Sequence, residues 1–237
     1  MLSKNQIKLI KSLETKKYRK REGLFVAEGP KVVGDLLRAG YTPHSIFSTV
    51  SRPDAELITD DELRRISFLQ HPQEVLGVFH IPNSPLTFSP SHLSLALDGV
   101  QDPGNVGTII RIADWFGITQ IYCSLDTADV YNPKVVQATM GSLAHVSITY
   151  CDLVPLLSKA DVPIYGTLLD GQDIYQQPLS ENGIIVMGNE GNGISPEVRQ
   201  LVTNKLLIPN FNKNSETAES LNVAIATAIT LSEFRRR

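Results

Sequence analysis

From Leu93 onward short apolar runs alternate with stretches of helical spacing, and this alternation constrains the fold more than any other feature of the chain. "LSLALDGV" (93–100), "TQIYC" (119–123), "VPIYGTL" (162–168), "GIIVMG" (183–188) and "KLLIP" (205–209) read as strands. Between them, residues 106–116, 132–142, 195–202 and 220–234 read as helices. In the first of these, Ile109, Ile112, Ala113 and Phe116 follow the i, i+3, i+4, i+7 pattern of one buried stripe. Short apolar strands separated by helices imply an α/β fold with a mostly parallel, buried sheet. In such sheets ligands bind beyond the carboxyl ends of the strands.

The first third of the chain is a smaller α/β pattern. It reads helix (4–16), basic turn (16–22), strand (24–27), helix (30–39), strand (45–49), helix (61–69) and strand (75–81). "PNSPLTFSPSH" (82–92) follows, with three prolines, three serines and no apolar period, and is expected to be a linker. The expected division is therefore a unit at 1–81, a linker at 82–92 and a larger unit at 93–237.

The apolar content of 42% and charged content of 20% suit a globular protein and exclude a disordered or fibrous one. No apolar run approaches the roughly 20 residues of a bilayer span, and no leader pattern opens the chain, so no membrane partner and a cytoplasmic location are expected. Cys123 and Cys151 share no metal-like spacing with the histidines and are assigned no chemistry and no metal.

The net charge of −3 conceals an asymmetry. Residues 1–38 hold ten Lys and Arg against four acids, whereas the rest holds twelve bases against twenty-one acids. A basic end on an acidic body is the distribution expected when one part meets a polyanion.

Three strand-end loops carry glycine or proline followed by sparse polar residues. In "DGVQDPGNVGTIIR" (98–111), Gly104 and Gly107 allow close backbone approach, Asn105 can cap the helix, and Arg111 is a candidate anion ligand. Its glycine spacing is not that of a dinucleotide fingerprint, and no acid ends the next strand, which weakens an oxidoreductase reading. In "MGNEGNGIS" (187–195) a glycine-rich loop holds the lone carboxylate Glu190 and runs into Ser195-Pro196, a helix start. In "IPNFNKNSETAESLNVAIATAI" (208–229), Ser220 and Asn222 bracket the start of a helix rich in alanine.

In order and spacing, these loops resemble the three signature motifs of the SpoU/TrmH branch of the SPOUT RNA methyltransferases. They are "DPGNVGTIIRIADWFG" (102–117), "IVMGNEGNGIS" (185–195), and "IP" (208–209) with "SLNVAIATAI" (220–229). The likeness covers about residues 93–237. "FVAEGPKVVGDLL" (25–37) is similar to the small α/β RNA-binding domain that many members carry. The resemblance implies a deep trefoil knot in the C-terminal SPOUT domain, an S-adenosylmethionine site, a homodimer, and methyl transfer to a ribose 2′-hydroxyl of RNA. Ribosomal RNA is favoured over transfer RNA; a tRNA methyltransferase or a non-catalytic RNA-binding relative is the alternative. Matched residue by residue, it assigns Asn105, Arg111, Glu190, Ser220 and Asn222 to catalysis. It assigns cofactor contact, largely by main chain, to Thr167, Leu168, Gly188, Ile208 and Leu221. An arginine with a pKa above about 12 is a poor base; Arg111 suits a phosphate beside the ribose or the developing alkoxide better. Residues 210–219 make the third motif's loop longer than the family's common form.

Overall fold

The computed structural model describes residues 1–82, 91–212 and 220–236. Chain contacts gather them into two units, Met1–Asn83 with Asp129–His145, and Ser84–Ala128 with Val146–Arg237. Most of the 82–92 stretch and of the 210–219 loop lies outside the described residues.

The first unit runs α1 (Lys4–Ser12), α2 (Lys16–Glu22), β1 (Leu24–Glu28), α3 (Pro30–Arg38), β2 (Pro43–Ser48), β3 (Glu56–Leu57), α4 (Asp60–Ile66) and β4 (Val75–His80). Its sheet has the order β1-β4-β2-β3, with β4 antiparallel to both neighbours and β3 parallel to β2. Every residue of β1 is buried, because both faces of the strand are covered. Leu24 and Val26 join a core with Ile10, Leu13, Leu63 and Ile66. Phe25, on the alternate face, packs against Tyr41, Phe79 and Tyr131.

Residues 16–22 form a helix where the sequence suggested a basic turn. Lys, Arg, Tyr and Glu all tolerate helix, Arg19, Lys20 and Arg21 fall in the last turn where the helix dipole favours cations, and Gly23 closes it at φ +65°. The helix turns Arg19 inward, to 2% exposure. Its Nε and Nη2 donate to Asp129 Oδ2 at 2.9 and 2.6 Å, and Nη1 donates to the Leu13 and Glu14 carbonyls at 2.7 Å each. One member of the basic cluster is thus a buried tie of the fold and cannot meet a polyanion.

The second unit opens with β5 (Leu93–Asp98), α5 (Pro103–Trp115) and β6 (Gln120–Cys123). The chain then contributes residues 129–145, including α6 (Pro133–Ala138), to the first unit. It resumes with β7 (Ser147–Tyr150), α7 (Leu153–Ser158), β8 (Ile164–Asp173), β9 (Gly183–Gly188), α8 (Pro196–Arg199), β10 (Asn204–Leu207) and α9 (Val223–Arg236). The six strands lie in the order β10-β8-β9-β5-β6-β7, and every pairing is parallel. The parallel α/β sheet read from the apolar runs is therefore present. One face packs Ala96, Tyr122, Ile184 and Val186 against Leu153, Leu157 and Val198.

Three boundaries moved for physical reasons. α5 starts at Pro103 because Asp102, rather than Asn105, is its cap and accepts from the Asn105 amide at 2.8 Å. Its buried face is Val106, Ile109, Ile110 and Ala113, rotated slightly from the expected stripe. α9 starts at Val223 because Asn222 accepts from the Ala224 and Ile225 amides at 2.9 and 3.3 Å. β8 runs past its expected end at 168. It pairs with β10 at Tyr165 and Gly166, then again at Gln172 and Asp173, with residues 167–171 interposed on its side only.

Among the described residues no helix is long and apolar enough to cross a membrane.

Candidate active site

At the carboxyl ends of β9 and β5, Gly188 pairs with Asp98. Beyond them the chain 187–195 folds back on itself. Asn189 and Gly193 exchange backbone hydrogen bonds of 2.9 and 3.0 Å, and Gly193 supplies the φ of +70° that closes the turn. The Asn189 side chain stiffens it from inside: Oδ1 accepts from the Gly191 and Asn192 amides at 2.9 Å each, and Nδ2 donates to the Gly99 carbonyl at 2.7 Å. A Cβ at Gly188 would lie 2.3 Å from the Gly193 carbonyl carbon and the Ile194 nitrogen, so no other residue fits there without moving main chain. Asp98, buried at the strand end, accepts from the Ser195 amide at 2.6 Å and ties the far end of the loop to the sheet.

Glu190 rises from the tip of this loop toward the start of α5. It accepts from the amides of Gln101 (3.2 Å) and Asp102 (3.1 Å) and from Asn105 Nδ2 (3.0 Å). Asn105 Oδ1 in turn accepts from Asn222 Nδ2 at 2.9 Å. A chain of side chains, Glu190–Asn105–Asn222, therefore joins all three glycine- and polar-rich segments. Partial burial pushes the Glu190 pKa up, but the bonds from Asn105, Gln101 and Asp102 outweigh it and hold the carboxyl below its ordinary value.

Between the loop, the 167–171 excursion of β8 and the start of α9 lies a cavity of about 500 Å³. Thr167, Leu168, Gly188, Ile208 and Leu221, all expected at the cofactor, line it, as do Glu190 and Ser220. Met187, Ile194, Leu206, Val223 and Ala226 give it an apolar wall. At its rim Asp170 pairs with Arg199 at 2.6 Å and with Lys205 at 3.0 Å. Asn105 and Asn222 stand behind Glu190 and do not line the cavity. Arg111 is apart from this group: it is exposed and makes no hydrogen bond or ion pair among the described residues. Its guanidinium is thus free for an anion.

Comparison with known proteins matches residues 92–232 to the SpoU rRNA Methylase family and residues 4–77 to the MRM3-like substrate binding domain. The chain belongs to the SpoU rRNA methylase family. Its relatives include the 23S rRNA (guanosine(2553)-2′-O)-methyltransferase RlmP of Bacillus subtilis, 32% identical, with 98% of this chain and 97% of the relative covered. A putative RNA methyltransferase of the TrmH family from Porphyromonas gingivalis has 47% identity and a TM-score of 0.89, with 100% of this chain and 99% of the other covered. An AdoMet-bound rRNA methyltransferase from Sinorhizobium meliloti has 33% identity and a TM-score of 0.89, with 100% and 96% covered.

In this SpoU methylase several residues of the loop architecture went unnoticed in the sequence: Asp98, Asp102, Asn189 and the Asp170–Arg199–Lys205 cluster. Two had a visible signal. An acid ending the apolar run "LSLALD" has to find donors at a buried strand end, and Asp102-Pro103 is a cap followed by the residue favoured at the first helical position. The Asp170 cluster had none, because Asp170, Arg199 and Lys205 come from separate elements.

Proposed function

We propose that the chain transfers a methyl group from S-adenosylmethionine to a ribose 2′-hydroxyl of RNA, and of ribosomal RNA in particular. The observation that carries this is the cavity lined by the second and third motif segments, with the first joined to it through hydrogen bonds from Glu190 on the lining to Asn105 and on to Asn222 behind it. The lining suits the cofactor: its volume lies within the range of small-molecule sites, apolar side chains face a purine, and the missing side chain at Gly188 keeps main chain close. When bound, the cofactor supplies an electrophilic methyl group on sulfur.

The chain's own residues do the rest. Arg111 holds the phosphate next to the target ribose and stabilises the oxygen as the 2′-hydroxyl proton leaves to that phosphate or to water and the methyl group passes from sulfur to oxygen. Glu190 and Asn105 fix the entrance of α5, and hence the helix that carries Arg111, so that nucleophile and methyl group meet in line. Ser220 lines the cavity where the ribose approaches. Exposed Trp115 and Ile225 lie on the packed pair α5 and α9 and support a homodimer. A trefoil knot and a cytoplasmic location complete the reading.

RNA docking falls to the first unit. Lys16, Lys17 and Lys20 are exposed on α2, whereas Arg19 is not. Removing residues 1–81 would strip α6 of its packing against β1, so point substitutions are the cleaner probe. Replacing the three lysines by alanine is expected to lower the salt slope of RNA binding by roughly one per residue, with cofactor affinity unchanged.

The deciding experiment is calorimetry with S-adenosylhomocysteine, combined with transfer of labelled methyl groups to 23S and 16S rRNA and to tRNA. Binding together with 2′-O-methylation of one rRNA is expected. Arg111→Lys should keep cofactor affinity and lose most turnover. Binding without transfer to any RNA would favour a non-catalytic relative, and failure to bind S-adenosylhomocysteine would sink the reading.

A further inference from the structure

A second cavity, of about 320 Å³, lies wholly inside the first unit, lined by Val26, Glu28, Phe68, Leu69, Lys134 and Gln137 among others. Its chemistry is unusual in one respect. Glu28 is 5% exposed, yet it makes no ion pair among the described residues. The Ser67 hydroxyl donates to its Oε2, and the Phe68 amide donates to its Oε1 at 2.8 Å. Lys11 stays outside pairing distance, with its ammonium donating to the Ser67 carbonyl at 2.7 Å and lying 4.9 Å from the centroid of the Phe68 ring.

Each carboxylate oxygen can accept two hydrogen bonds, and each here receives one from the protein. A buried, unpaired carboxylate with one acceptor position left on each oxygen is costly unless something meets it. Water can meet these positions one at a time, but a single ligand that displaces it has to offer two adjacent donors, because an ionised carboxylate only accepts. It also has to be planar and apolar-faced, since Phe68, Leu69 and Val26 form the walls.

Among nucleobases only guanine presents two neighbouring donors, N1–H and N2–H, on its Watson–Crick edge. Adenine and cytosine each set one donor beside an acceptor, and uracil flanks its single donor with two acceptors. Unstacked bases of RNA are bound by this combination of an aromatic face and edge hydrogen bonds. We propose that this cavity binds an unstacked guanine of the RNA substrate, with Glu28 reading its Watson–Crick edge and Phe68 packing on its face. Lys134, exposed at the rim, meets the phosphate of the same nucleotide. The site rests on the reading of the chain as an RNA methyltransferase, and it makes Glu28 a specificity-determining residue distant in sequence from the motifs of catalysis.

The test titrates the full chain with guanosine 5′-monophosphate, and in parallel with the adenosine, cytidine and uridine monophosphates, while following backbone amide resonances. The guanine nucleotide is expected to shift the amides of Phe68, Leu69 and Gln137 at millimolar concentration, and the other three are expected to leave them in place. Glu28→Gln, which presents an amide to the guanine donors, should weaken the guanine nucleotide roughly tenfold. Phe68→Leu keeps the carboxylate's backbone donor and should weaken it by about fivefold through lost stacking. Both variants should keep full affinity for S-adenosylhomocysteine. Absent shifts at Phe68 and Gln137, equal shifts from all four nucleotides, or undiminished affinity in Glu28→Gln would overturn the proposal. If Glu28→Gln does not fold, the nucleotide series and Phe68→Leu decide. Guanine binding in a chain that methylates no RNA would leave the cavity standing and remove the methyltransferase reading; methylation without guanine binding would remove the cavity alone.

Discussion

Glu190 and Glu28 stand at two cavities, one in each unit, and their surroundings treat the same functional group in opposite ways. Glu190 is exposed at the tip of a main-chain loop and takes three donors, and its pKa is held below the ordinary 4.5. Glu28 is buried beneath side chains and takes two donors, and burial lifts its pKa above 4.5 against the pull of Ser67, Phe68 and Lys11. The balance of donors against desolvation sets the sign. A carboxylate that spends its acceptor capacity on the protein positions other groups. One that keeps capacity in reserve, under a cavity, is equipped to meet a ligand.

The walls differ in kind as well, and the largest expected effect exposes that difference. The second unit's cavity is shaped by main chain, where a methyl group at Gly188 would run into the Gly193–Ile194 peptide group. Gly188→Ala is therefore expected to destabilise the second unit by about 3 kcal/mol. Binding of S-adenosylhomocysteine, measured by calorimetry, should drop by more than about a hundredfold if the lost energy falls mainly on the bound geometry. The first unit's cavity is walled by side chains, so a conservative change there, Leu69→Met, should cost less than about 1.5 kcal/mol in a thermal melt. Equal tolerance at both positions would erase the distinction.

Glu190→Gln comes next. The glutamine keeps one acceptor oxygen and turns an NH₂ group toward the amides of Gln101 and Asp102, or toward Asn105, leaving one donor facing another. A loss of about 2 kcal/mol is expected. In kinetics the signature of positioning is a fall in kcat larger than the change in cofactor affinity, since the residue acts through the start of α5. A rise in KM for cofactor with kcat unchanged would instead make Glu190 a direct cofactor ligand.

The sequence carried these two regions unequally. The parallel sheet was legible because five of its six strands are apolar runs bounded by turns; β7, "SITY", alternates and is only partly buried, so it gave no such signal. The glycine-rich loop at the second unit's cavity was legible because glycine is obligatory where main chain meets main chain, as at Gly188. The Glu190–Asn105–Asn222 connection was legible only through the family resemblance that groups these residues, since hydrogen bonds across 85 and 117 residues leave no trace in local spacing. For the same reason Arg19 read as part of a basic surface: its partner, Asp129, lies 110 residues away. The assignment of residues 129–145 to the first unit was equally hidden, because Val135 and Val136 bury like any helix core and do not say against what.

A smaller effect tests whether the third motif belongs to the network or only starts a helix. Asn222→Asp keeps the cap on α9 and removes the donor to Asn105. Asn222→Ala removes both and should cost about 1 kcal/mol of stability through the cap. If the link to Asn105 matters for turnover, both variants lose methyl transfer, although the aspartate keeps its melting temperature. Full activity in Asn222→Asp would reduce Asn222 to a cap.

The smallest expected effect is also the most direct contrast between the two glutamates, because linkage gives them opposite slopes. Glu190 has its pKa depressed in the fold, so the stability it contributes is complete above the unfolded value near 4.5 and is lost as pH falls through the folded pKa. Glu28 has its pKa raised, so the folded state binds its proton more tightly than the unfolded chain does. Its contribution is then greatest below about 4.5 and declines as pH rises through the raised folded pKa. Melting temperatures of the parent, Glu190→Gln and Glu28→Gln from about pH 2.5 to 8 separate the two. The gap between parent and Glu190→Gln should widen as pH rises to about 4.5 and then hold, whereas the parent should lose ground to Glu28→Gln only above about pH 4.5, until the raised folded pKa is passed, and then run parallel to it. Guanosine monophosphate should restore part of that lost stability at neutral pH, since a ligand that donates to the charged carboxylate binds only the folded, ionised form. Slopes of the same sign would mean that both carboxylates are saturated by the protein, and the cavity beneath Phe68 would then have no unmet acceptor to offer.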